Sequence, residues 1–170
     1  VGVELLFKPH RSKWGVGLTT NHIRQREYER GFGLRDYRTS TGFMSVYYAS
    51  PFYHFDLAVH AGRYLAKDVG VTFEVRRTFD SGFSIGAFFT RTNTSDLEYG
   101  QGGFDKGLTF RFPFNAVLPG NTRRSYATII RSLERDGGRR LENFGSTLWW
   151  DIRPFHYERL YRHKNRMIPQ

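Results

Sequence analysis

Cysteine is absent from the 170 residues, which excludes a disulfide framework, a thiolate metal site and a cysteine nucleophile. No stretch approaches the roughly 18 uninterrupted apolar residues that a membrane-spanning helix needs, so a helical membrane protein is excluded too. Acidic residues are scarce, with Asp and Glu numbering 16 against 26 Lys and Arg, a formal net charge of +10. Convincing helical stripes are also missing. Only Glu27 to Asp36 and Tyr157 to Arg166 offer candidates for a short helical turn. The opening Val1-Gly2-Val3-Glu4 has no initiator Met, basic run or apolar run, and reads as the start of a mature or excised segment.

Aromatic residues are plentiful. Sixteen Phe, ten Tyr and three Trp, with eighteen Gly, are too much core and turn material for a disordered chain, and the length suits one domain. The cationic excess points to an anionic partner: nucleic acid, anionic lipid head groups or an acidic polymer. It is concentrated late in the chain, where eleven basic and five acidic residues between Arg123 and Arg166 supply +6 of the +10.

Apolar residues recur on alternate positions through most of the chain, the signature of strands. Val3, Leu5 and Phe7 alternate with polar or small residues, as do Trp14, Val16 and Leu18, then Met44, Val46 and Tyr48, then Phe55, Leu57, Val59 and Ala61. The clearest stretch sets Val69, Val71, Phe73 and Val75 against Thr72, Glu74, Arg76 and Thr78, closed by the turn Asp80-Ser81-Gly82 and followed by Ile85, Ala87 and Phe89. Leu108 to Phe114, Tyr126 to Leu133 and Phe144 to Ile152 complete about nine strands. Arg24 to Thr41 and Thr92 to Asp105 read as long polar loops, whereas the Pro51 and Asp80 turns are tight. Long loops at one end and short turns at the other, strands of about ten residues and aromatics crowding strand ends favour a transmembrane β-barrel. A soluble antiparallel sandwich shows the same alternation and stands as the rival. The expected fold is therefore all-β, an antiparallel meander of long strands forming a barrel or the C-terminal portion of one over residues 1–153. A basic aromatic tail follows over 154–170.

Two stretches carry a family resemblance: Val71-Thr72-Phe73-Glu74-Val75-Arg76-Arg77-Thr78-Phe79-Asp80-Ser81-Gly82-Phe83-Ser84-Ile85-Gly86-Ala87-Phe88-Phe89-Thr90 with Gly102-Gly103-Phe104-Asp105-Lys106-Gly107, and Arg135-Asp136-Gly137-Gly138-Arg139-Arg140-Leu141. In order and spacing they resemble the C-terminal part of the YjbH family and its capsule-operon relatives of the GfcD type, over about residues 65 to 155. The resemblance implies an outer-membrane β-barrel of exopolysaccharide and capsule biosynthesis, located in the bacterial outer membrane and several times longer than this chain. It supplies no catalytic residue. The implied partners are an exopolysaccharide or capsular polymer, outer-membrane lipid or lipopolysaccharide, and other proteins of a secretion operon; nucleic acid is not expected.

Glu74 and Arg76 share one strand face, and with Arg111 and Arg131 they would line the lumen of a barrel, where guanidinium groups can pair bidentately with carboxylate or phosphate. The bland alternative is that Glu74 pairs with a neighbouring Arg in a closed interior. Asp105 and Lys106 would place a charge pair where a strand re-enters at the rim, and Arg135 and Asp136 would shoulder a hairpin turn before Gly137-Gly138. None of the six His is spaced as a ligand pair, and no cofactor or metal is implied. His54 and His60 share parity with Asp56, but no nucleophile motif, phosphate loop or enclosed carboxylate pair accompanies them, so no enzymatic step is expected. The tail Arg153 to Arg166, with Phe155, Tyr157 and Tyr161 interleaved, suits anionic head groups or polymer, and in the soluble rival it suits nucleic acid or acidic polysaccharide.

Overall fold

A computed structural model describes residues 1–26, 34–93, 104–114, 125–131, 138–141 and 147–156, with only the backbone described at 25, 26, 34–37 and 154. Eight strands form one antiparallel sheet in strict chain order: β1 (Gly2–Phe7), β2 (Trp14–Arg26), β3 (Leu34–Ala49), β4 (Phe55–Arg63), β5 (Val69–Thr78), β6 (Ser84–Thr92), β7 (Phe104–Pro113) and β8 (Ser125–Arg131). Among the described residues β1 and β8 are its edges, and the sheet is not closed. A five-residue helix, α1 (Leu148–Ile152), runs into a 3-10 turn over Arg153–Phe155. No helix among the described residues is long and apolar enough to cross a membrane.

The turns follow local chemistry. At Asp80-Ser81-Gly82 the amide of Gly82 donates to the carbonyl of Phe79 at 2.9 Å, and Gly82 adopts φ of +84°, a conformation that a Cβ disfavours. Pro9 likewise accepts from Ser12 at 3.1 Å. Because neighbours are antiparallel, the β2–β3, β4–β5 and β6–β7 connections share one end of the sheet, so the segments expected to be long loops do lie at a common end.

The two faces of the sheet are reversed relative to a soluble β-sheet. On β3, Thr39, Thr41, Phe43, Ser45, Tyr47 and Ala49 are buried while Met44, Val46 and Tyr48 are exposed. On β4, Asp56, Ala58 and His60 are buried while Leu57 is exposed; on β6, Ser84 and Thr90 are buried while Ile85 and Phe89 face outward. The polar parity is thus the covered one. The apolar parity, including Val3, Leu5, Phe7, Leu18, Phe73, Val75, Leu108 and Phe112, is open. Water would penalise such a contiguous apolar face.

Three expectations are corrected. Eight strands are described where about nine were expected, because Phe144 to Ile152 does not continue the meander: Leu148–Ile152 is helical and 142–146 lie outside the described residues. Trp149 and Trp150 are consecutive and both buried, which a strand cannot achieve on a single covered face but a helical turn can. Arg24 to Thr41 is mostly strand rather than loop, with β2 running to Arg26 and β3 starting at Leu34. Pairing uses backbone groups, so polar side chains on both faces do not prevent it; His22 and Ser40, opposite each other, add a side-chain hydrogen bond of 2.9 Å. Of the helical turn expected over Glu27 to Asp36, residues 34–36 are strand and 27–33 lie outside the described residues, as do the one at Tyr157 to Arg166 and most of the tail.

Candidate functional site: the covered polar face

The inner face is covered by residues 138–141 and 147–156, which fold back across the strands. α1 enters at Thr147, an extended residue whose carbonyl accepts from the amides of Trp150 and Asp151 at 2.9 and 3.2 Å. The Leu148 amide donates to the Glu4 carboxylate on β1 at 2.9 Å, and Trp149 stacks on Tyr47 of β3 with centroids 5.0 Å apart and planes within 9°. Room for that indole comes from Gly15 on β2, where a Cβ would stand 2.9 Å from Trp149 Cζ3. Trp150 meets Tyr47 edge-on at 6.4 Å and lies beneath the Arg76 guanidinium, 3.9 Å from its ring centre.

Beside these rings runs a charged chain. Arg153 Nε donates to Asp56 Oδ1 at 2.7 Å with both side chains buried, and Arg153 Nη1 lies 3.4 Å from His156 Nδ1. Arg76 donates to Glu74 Oε1 at 2.8 Å; the other Glu74 oxygen is 3.6 Å from His60 Nε2, and His60 Nδ1 bonds Ser45 at 2.8 Å. Register explains the cluster: Asp56 faces Arg76 across the β4–β5 pair, and Ala58 faces Glu74. A small residue opposite a carboxylate leaves room for the imidazole of His60 to reach it.

A second group lies toward the β4–β5 end. Asp105 binds Arg131 at 2.7 Å, and the Arg131 guanidinium lies 5.1 Å from the Phe88 ring centre. Tyr64, Thr72 and Thr90 form a hydroxyl chain of 2.6 and 2.7 Å, and burial pushes the Tyr64 phenol above its ordinary value. Asp68 accepts from the Gly138 amide at 2.8 Å, and the Arg139 carbonyl accepts from Leu65 at 3.1 Å, so the returning segment is tied to the β4–β5 turn.

The four residues expected on the polar face are all on it. Glu74 and Arg76 pair with each other along one strand, Arg131 pairs with Asp105, and Arg111 donates to Ser125 at 3.0 Å. Their charges are therefore engaged internally rather than arrayed as open guanidinium groups. Asp105 and Lys106 are separated by the strand's alternation: Asp105 is buried and Lys106 is exposed on the opposite face, although the Lys106 amide donates to Asp105 Oδ1 at 2.8 Å. Arg135 and Asp136 lie outside the described residues. His54 occupies a turn with φ of 59° before β4, and Asp56 accepts from Arg153. The pairing of Asp56 with Arg153 and the stacking of Trp149 on Tyr47 were not anticipated; the parity of Asp56 placed it inside, but nothing local marks a partner 97 positions away. No group of three or more His, Asp or Glu among the described residues is placed to hold a metal ion.

Comparison with known proteins agrees with the resemblance and extends it toward the N-terminus. The family model YjbH, described as exopolysaccharide biosynthesis protein YbjH, matches residues 1–153. Over 145 residues the chain is 38% identical to a protein of Escherichia coli strain K12 named "Uncharacterized lipoprotein YjbH", covering 82% of this chain and 21% of that protein. The chain therefore spans about a fifth of the length of this curated relative. No solved structure matches.

Proposed function

The chain belongs to the YjbH family of exopolysaccharide biosynthesis proteins, and we propose that it forms part of an outer-membrane β-barrel that supports polymer export or assembly without a chemical step of its own. The observation that carries this reading is the reversed polarity of the sheet, with polar side chains covered and apolar ones open on the other face. A hydrocarbon environment removes the cost of that open face, and β4 to β7 run 9, 10, 9 and 10 residues, the length of a tilted strand that spans a bilayer. The relative's name as a lipoprotein supports a membrane-associated place for the family.

In this reading further strands of a longer protein continue the sheet beyond β1 and β8, since a spanning sheet leaves no open edge. Residues 147–156 lie in the lumen, packed on Tyr47, Asp56 and Arg76. Polymer would pass a wall whose Glu74, Arg76, Arg111 and Arg131 are held in internal pairs, with the connections after β2 and β6 at one rim. Cell fractionation of the full-length protein, with gel migration compared before and after boiling, tests the barrel: recovery in outer membranes with a heat-modifiable band is expected, and recovery in the soluble fraction overturns it. Loss of secreted polymer in a deletion strain, restored by the wild-type gene, tests the pathway.

A further inference from the structure

The outward face of the sheet segregates charge by sign. Among the described strand side chains, the carboxylates Glu4, Asp56, Glu74 and Asp105 all lie on the inner parity, whereas Arg24, Arg38 and Arg77 lie on the outer one, as do the exposed Arg63, Arg91 and Lys106. Each of these last three stands where the apolar run of its strand ends: Arg63 follows Leu57, Val59 and Ala61, Arg91 follows Ile85, Ala87 and Phe89, and Lys106 precedes Leu108 and Phe110.

Register turns these three positions into a line. Val71 pairs with Ala61 on one side and Arg91 on the other, so Arg91 stands two residues lower than Arg63; Phe89 pairs with Lys106, two residues lower again. A drop of four residues over the three steps from β4 to β7 is about 13 Å along the strands against about 14 Å across them, an incline of roughly 43°. Strands of outer-membrane barrels tilt by about 35–45°, so a line inclined this much from the perpendicular to the strands runs level with the bilayer plane. The opposite border of the apolar band descends in the same sense. Trp14 pairs with Tyr48, Phe55 stands two residues below Tyr48, and the pair Phe112 and Tyr126 stands two below the level of Phe55 and Arg77. One border carries Arg63, Arg91 and Lys106; the other is aromatic, with Arg77 lying among its rings, 4.5 Å from the Phe79 ring centre.

We propose that Arg63, Arg91 and Lys106 form a docking rim for the phosphate groups of an anionic outer-leaflet glycolipid, whose acyl chains lie along Val59, Phe73 and Phe89 directly below. This rests on the barrel reading of the sheet. Guanidinium and ammonium groups pair strongly with phosphate, and the apolar floor beneath them suits a lipid rather than a soluble acidic polymer. The rim lies at the end that holds the β2–β3 and β6–β7 connections, the end that long extracellular loops occupy in such barrels.

The test uses the full-length protein reconstituted in phosphatidylethanolamine vesicles with or without lipid A, scored for lipid co-purification and thermal unfolding. Each basic group near an anionic surface is worth about fivefold in affinity, so R63Q/R91Q/K106Q is expected to weaken lipid A capture on the order of a hundredfold. R63K/R91K, which keeps the charge, retains most of it, and wild-type protein discriminates against dephosphorylated lipid A. Equal capture of phosphorylated and dephosphorylated lipid A by wild-type protein with an intact heat-modifiable band overturns the rim and leaves the barrel standing. Failure of wild-type protein to insert or to show that band overturns both.

Discussion

Arg153 is the residue whose loss should most clearly report on the covered face. It donates to Asp56 at 2.7 Å, and the side-chain exposures of 6% and 0% place the pair among buried ion pairs, not the surface pairs worth about 0–1 kcal/mol. Removing one partner strands the other charge away from water, which costs about 3–5 kcal/mol. Arg153→Met and Asp56→Leu should therefore each destabilise by about that amount. The double substitution, which removes both charges, should cost clearly less than either single change, so the coupling in the cycle exceeds about 3 kcal/mol. Tryptophan fluorescence reads the transition, because Trp149 and Trp150 belong to the returning segment; a Trp14→Phe background removes the third indole, which is 46% exposed on the outer face. Single losses below about 1 kcal/mol that add without coupling would refute the reasoning, since they would mean that Arg153 and Asp56 are solvated and that the segment is held by something else.

Phe73→Arg, in the middle of the outer apolar band, should cost about 2–4 kcal/mol or block assembly in lipid, whereas an ordinary water-facing site would change by about 0.5 kcal/mol; unfolding in vesicles separates the two. Gly15→Val should overpack Trp149 and cost about 1–3 kcal/mol, with a shift in indole emission as the accompanying sign. Asp105→Asn removes the charged partner of Arg131 and should lower denaturant stability by about 1–3 kcal/mol; no change would show that the pair is solvated. Gly138→Ala, at φ of +72° and with a Cβ 3.2 Å from Thr90, should destabilise by about 1 kcal/mol or more, and a neutral result would mean that the 138–141 tie to Asp68 is dispensable.

Much of the candidate site was legible one residue at a time. The alternation of Val71, Phe73 and Val75 with Thr72, Glu74 and Arg76 assigns each side chain to a face, and the structure keeps that assignment on β5. Turn positions such as Gly82 were legible for the same reason, because a positive φ is a local demand. The strand extensions to Arg26 and from Leu34 were missed since Arg24-Gln25-Arg26 and Arg35-Asp36 are consecutive polar residues, which leave no apolar alternation to read. The expected strand at Phe144 to Ile152 failed for the opposite reason: alternation was present, but burial of two adjacent tryptophans on one face favoured a helical turn.

The sequence by itself determined the class of the sheet and the identity of its two faces, because a period of two is a property of neighbouring residues and the pleat enforces it. It also determined that the cationic excess exceeds what the acidic residues can neutralise. Only the tertiary structure decided which face is covered, and by what. Arg153 meets Asp56 across 97 positions, Leu148 reaches Glu4 across 144, and Trp149 finds Tyr47 beside the space left by Gly15. Such contacts depend on where the chain returns in space, and no local periodicity encodes the path of that return.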